Sequence, residues 1–89
     1  MDELDGWRAR IDEIDGKLVE LLNERARCAI EIGRIKSERG MNVRNPQREQ
    51  IVLNRAKDKN RGPLDHSAVQ RIFQKIIEEC RRIEITADG

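Results

Sequence analysis

The strongest constraint in this chain is one apolar stripe. Leu4, Trp7, Ile11, Ile14, Leu18, Leu21, Cys28, Ile32 and Ile35 recur at three- and four-residue spacing once Arg25 is counted between Leu21 and Cys28, and no proline interrupts the stretch from Asp2 to about Glu38. This is the pattern of a single amphipathic helix. Gly6, Gly16 and Gly33 weaken it locally without ending it. A helix of that length spans roughly 50 Å at 1.5 Å per residue. The whole chain is only 89 residues and 10.4 kDa. The helix is therefore longer than its own domain is wide. It must bury its stripe against something else, most simply a second copy.

Two shorter helices follow. Arg39-Gly40 ends the first, and Asn45-Pro46 opens the second, with Asn as N-cap and Pro in the first turn. It runs from about Pro46 to Asn60 with a sparse apolar set, Ile51, Val52, Leu53 and Ala56. Arg61-Gly62-Pro63 ends it. A third helix starts near Asp65 and carries Val69, Ile72, Phe73, Ile76, Ile77, Cys80 and Ile83 at helical spacing, ending before Thr86. Two aromatic residues and two prolines are too few for a sandwich or barrel. The expected fold is all-α, with three helices per chain and a long first helix. Residues 1–89 form one domain, completed as an intertwined homodimeric bundle.

Charge excludes several functions. Lys and Arg total 18 against 17 Asp and Glu, a net charge of +1. That balance gives no support for general nucleic-acid or membrane binding. No run is long enough to cross a membrane, and MDELDGWRAR lacks the basic start and apolar core of a signal peptide. Cys28 and Cys80 lie 52 residues apart on apolar faces. They are expected to be reduced core thiols in a cytoplasmic protein. With a single histidine, His66, no metal site is expected.

The informative residues are charges that interrupt the apolar faces. Arg25 takes the seam position between Leu21 and Cys28, and a guanidinium there is costly unless it meets an anion. Lys36, eleven residues on, returns to nearly the same face three turns later. Glu84 follows Cys80 by four residues, on the apolar edge of the third helix. Arg48 and Glu49 open the second helix, where the dipole favours Glu49. Each has an ordinary reading too: Arg25 as a register-setting partner of an acid, Lys36 and Glu84 as solvated end residues, Arg48-Glu49 as a charged first turn. Several cations and one protonatable acid in one place would suit a small dianion.

The ordered set Arg8-Ala9-Arg10-Ile11-Asp12-Glu13-Ile14-Asp15, then Arg25, Ile32-Gly33, Lys36, Val43-Arg44-Asn45-Pro46-Gln47-Arg48-Glu49 and Ile72-Phe73-Gln74-Lys75-Ile76-Ile77-Glu78 resembles the all-helical (AroQ) class of chorismate mutases. The resemblance covers about Arg8 to Glu84. It implies a Claisen rearrangement of chorismate to prephenate in phenylalanine and tyrosine biosynthesis, with no cofactor and no metal. It also implies a dimer in which Arg25 grips one substrate carboxylate and Arg8, from the second subunit, grips the other. Helix geometry agrees on that point, since Arg8 lies over roughly 20 Å from Arg25 and about 100° around the helix. By the same resemblance Lys36 donates to the ether oxygen, Glu49 with Asn45 binds the ring hydroxyl, and Arg48 lines the pocket.

Two positions depart from the commonest bacterial pattern. Glu84 stands where Gln is frequent, and it can help an ether oxygen only as the neutral acid. Burial would raise its pKa and Lys36 would lower it. Cys80 stands where a Ser or Thr hydroxyl often contacts a carboxylate, and a thiol is a weaker donor. Two other functions remain open: an isochorismate-pyruvate lyase on the same scaffold, and a non-catalytic helical module that dimerises or regulates a partner. Fusion to another enzyme of the pathway is compatible with the sequence.

Overall fold

A computed structural model describes residues 2–88, with side-chain surroundings through Ile85. The chain forms α1 (Glu3–Glu38), α2 (Pro46–Lys59) and α3 (His66–Asp88), and no strand is present among the described residues. Each helix start is fixed by a side chain. Asp2 accepts from Asp5 N–H at 2.8 Å, Asn45 from Arg48 N–H at 3.0 Å, and Asp65 from Ala68 N–H at 2.7 Å. The end of α1 is a Schellman motif. Met41 N–H donates to Lys36 O at 2.8 Å and Gly40 N–H to Ser37 O at 3.1 Å, with Gly40 at φ +65°. Only glycine adopts that φ without a Cβ clash, which is why Gly40 ends the helix. One boundary differs from the sequence reading: α3 continues through Thr86 and Ala87 to Asp88, because nothing in that segment breaks a helix. Gly89 lies outside the described residues.

The molecule measures 56 × 25 × 14 Å, and its long dimension is set by the 36 residues of α1. α3 packs against both α1 and α2, while α1 and α2 do not pack on each other. The wedge left between them is the main polar cavity. The buried core is correspondingly thin, consisting of Ala29, Gly33, Ile77 and Cys80. Cys80 is a core thiol as expected. Cys28 is not buried within the chain: it is exposed at the wall of the cavity, next to the buried Ala29.

The N-terminal half of α1 extends beyond its own chain. Leu4, Trp7, Ile11, Ile14, Leu18 and Leu21 are all exposed, Trp7 at 66%. Each such side chain contributes about 1.5–3 kcal/mol when fully covered. Farther along, a trough of about 690 Å³ between α1 and α3 is floored by Leu22, Ala26, Ile76 and Ile83 and rimmed by Lys75, Glu79 and Arg82.

Candidate active site

The wedge between α1, α2 and α3 is a cavity of about 280 Å³. α1 contributes Arg25, Ala29 and Lys36 from one face, as their spacing anticipated. The start of α2 contributes Asn45, Arg48 and Glu49. α3 contributes Ile77, Cys80, Arg81 and Glu84. Four cations and two carboxyl groups therefore share one small space with an apolar floor.

Lys36 is held at the rim. Its Nζ donates to the backbone carbonyl of Val43 at 2.7 Å, tying the 39–45 loop to the end of α1. The same Nζ stands 3.8 Å from Glu84 Oε2, an ion-pair distance too long for a hydrogen bond. Glu84 Oε2 is fully buried and has no hydrogen-bond partner. A buried polar atom without a partner is costly, and one aimed into a cavity marks a place for a ligand. Burial pushes the Glu84 pKa above the usual carboxylate range. Lys36, Arg25 and Arg81 oppose that rise, and Glu49 adds to it. Glu84 thus keeps its proton to higher pH than an ordinary carboxyl does.

Glu49 is held quite differently. Its Oε2 accepts from Arg81 Nη1 at 2.6 Å and lies 3.8 Å from Arg44 Nε. Asn45 spends its side-chain oxygen on the Arg48 N–H as the α2 cap, which leaves its amide NH2 as a donor. Among the described residues, no three His, Cys, Asp or Glu converge as metal ligands.

The structure brings together Arg25, Lys36, Asn45, Arg48, Glu49, Cys80 and Glu84. It does not bring Arg8, which is exposed on the free end of α1, some seventeen residues or about 25 Å of helix before Arg25. Sequence reasoning missed Arg81. That residue sits beside the apolar face of α3, and its partner Glu49 is 32 positions away, so no local pattern announces the pair.

An all-helical chain with a small, cation-lined cavity and one buried carboxyl of raised pKa defines a site for a compact multivalent anion. The chain belongs to the chorismate mutase type II family, whose model matches residues 7–85. It is 40% identical over 88 residues to the bifunctional chorismate mutase/prephenate dehydratase of Pseudomonas aeruginosa, covering 93% of this chain and 24% of the relative. The chain thus spans about a quarter of the length of that relative. It is 31% identical to the chorismate mutase of Methanocaldococcus jannaschii, covering 94% of this chain and 86% of that protein. A Streptomyces venezuelae relative, 33% identical over 93% of this chain and 82% of its own, is named 4-amino-4-deoxychorismate mutase. Among solved structures, chorismate mutase (form II) from Thermus thermophilus superposes with a TM-score of 0.91 at 28% identity, covering 93% of this chain and 94% of that one. The Helicobacter pylori chorismate mutase in complex with prephenate gives 0.86 at 28% identity, covering 94% and 91%.

Proposed function

We propose that this chain is a chorismate mutase, an isomerase converting chorismate to prephenate in phenylalanine and tyrosine biosynthesis, and that residues 1–89 act as one such domain. The observation that carries the reading is one small cavity lined by Arg25, Lys36 and Arg48 together with Glu84, whose buried Oε2 has no hydrogen-bond partner. The solved structure of the Helicobacter pylori relative in complex with prephenate supports it.

The reaction is a rearrangement within one molecule: the ether C–O bond breaks, a C–C bond forms, and no proton or electron enters or leaves. The protein has two tasks. It selects the folded, reactive conformer of a flexible dianion, and it stabilises negative charge growing on the ether oxygen. Arg25 holds one carboxylate. Lys36 donates to the ether oxygen, and neutral Glu84 donates to the same atom from α3. Glu49 accepts from the ring hydroxyl, with the Asn45 amide beside it. Arg48 adds positive potential, and Cys80 offers a weak thiol donor to a carboxylate. No cofactor or metal has a part in this chemistry.

The functional unit is a homodimer in which Arg8 of the partner subunit reaches the second carboxylate. The exposed stripe from Leu4 to Leu21 supports this, being an apolar surface that none of the described residues covers. The adjoining trough on α1 and α3 adds to that surface. A cytoplasmic setting fits the two unpaired thiols. No helix among the described residues is long and apolar enough to cross a membrane. The fusion in the Pseudomonas relative supports a prephenate-consuming dehydratase as fused or separate partner. The test is chorismate consumption by the purified chain, with prephenate as product. A folded dimer that leaves chorismate untouched overturns the reading.

A further inference from the structure

Glu49 is engaged more heavily than a simple hydrogen-bond acceptor needs to be. Arg81 of α3 donates to its Oε2 at 2.6 Å, and Arg44 approaches the same oxygen to 3.8 Å from the loop side. The Arg81 and Glu49 side chains are only 26% and 15% exposed, while that of Arg44 is 63% exposed. The Arg81 bond is thus the shielded one, and it ties α3 to the first turn of α2. Both guanidiniums address Oε2.

This arrangement has two physical effects. The carboxylate is anchored through Oε2, and Oε1 lies outside these two contacts as the atom that can accept from a ligand. Its negative charge is also offset, since Arg81 is bonded to it and Arg48 lines the same cavity. The end of the site around Glu49 therefore offers an acceptor atom without a net negative potential. A neutral hydroxyl needs only the acceptor. An ammonium at the same ring position gains chiefly from an uncompensated carboxylate, and here it would meet cations.

We propose that Arg81 is a positioning and specificity-determining residue: by clamping Glu49 it makes this end of the site accept a ring hydroxyl and reject a ring ammonium. The proposal rests on the reading that Glu49 takes the ring hydroxyl of chorismate. Its natural probe is 4-amino-4-deoxychorismate, the compound named for the Streptomyces venezuelae relative, which carries an amine protonated at neutral pH.

The experiment measures kcat and KM of the full chain for chorismate and for 4-amino-4-deoxychorismate at neutral pH, with Arg81→Gln, Arg81→Met and Arg81→Lys beside the wild type. Arg81→Met keeps the apolar stem should Gln disturb packing, and circular dichroism checks the fold. In Arg81→Gln and Arg81→Met the chorismate KM rises about tenfold with a smaller change in kcat, as expected for loss of a charge-assisted bond that orders a binding group. The ratio of kcat/KM for the amino compound over chorismate rises by about tenfold, because the carboxylate is no longer offset. Arg81→Lys retains the wild-type ratio. The ratio also isolates the effect from Glu84, which acts on both substrates alike. An unchanged ratio in the folded Gln and Met variants of an active enzyme overturns the proposal for Arg81 alone. A wild-type chain that rearranges neither compound overturns the mutase reading and this proposal together.

Discussion

Gly33 of α1 and Glu84 of α3 meet at a close approach of the two helices: a Cβ on Gly33 would lie 3.2 Å from Glu84 Cβ and 3.3 Å from the Glu84 carbonyl oxygen. The missing side chain lets α3 settle against α1 at the residue whose carboxyl is buried in the cavity.

Gly33→Ala should therefore move Glu84. Alanine gains about 1 kcal/mol of helix propensity over glycine. Crowding of this kind costs about 1–3 kcal/mol, so Tm should stay level or fall. A shift of a few tenths of an ångström at a reacting group should lower kcat by about tenfold. Gly16, with nothing within 4 Å and on the side of α1 away from the stripe, is the control. Gly16→Ala should raise stability by about 0.5–1 kcal/mol in thermal unfolding and leave kcat unchanged.

Glu84 sets a pH profile. Its pKa is raised, first by burial, so the useful neutral form is present at acidic pH and is lost as pH rises through that pKa. Turnover should fall toward alkaline pH in the wild type, and Glu84→Gln should flatten the fall because an amide donates at every pH. Equal slopes in the two proteins would remove the Glu84 proton from the mechanism.

The same shift has a stability consequence of fixed sign. The folded chain holds the Glu84 proton more tightly than the unfolded chain does. This contribution is complete below the ordinary carboxylate pKa and is lost as pH rises through the raised one. Thermal unfolding should show Glu84→Gln gaining on the wild type between acidic and neutral pH. A constant difference across that window would contradict the shift.

Lys36 and Arg8 should fail alone and rescue each other. Lys36→Gln removes the proposed ether-oxygen donor, at an expected cost of about 10²–10³ in kcat. In the proposed dimer Arg8→Ala removes a carboxylate contact from the other subunit's site. In a mixed dimer refolded from equal amounts of both, one of the two sites has a native Lys36 and a native Arg8. Statistical pairing then restores about a quarter of wild-type activity. No recovery in mixed dimers would show that Arg8 serves its own chain or no site at all.

How much of this was legible in the sequence follows from how local each feature is. The starts of α2 and α3 and the end of α1 were readable because Asn45, Asp65 and Gly40 act within four residues of themselves, whereas the end of α3, expected before Thr86, has no such local signal. Arg25 and Lys36 were readable because one helix face carries both. The burial of Glu84 was half legible: its place on an apolar edge showed, but the closeness allowed by Gly33 did not. Cys28 was misjudged because the stripe fixes a face of α1 and not which part of that face α3 covers. Arg81 was invisible for the opposite reason, since its importance lies in a bond to another helix.

A straight helix is also a ruler. Arg8 and Arg25 sit on one continuous rod of 36 residues with no joint between them. One residue inserted between them would lengthen the rod by about 1.5 Å and turn the exposed stripe by about 100° against the cavity. No loop is there to absorb the error. Length variation among functional descendants of this chain should therefore gather in the two connectors, 39–45 and 60–65, and spare the stretch between Arg8 and Arg25. There, a change survives only in steps that return to the same helical face, such as a whole heptad.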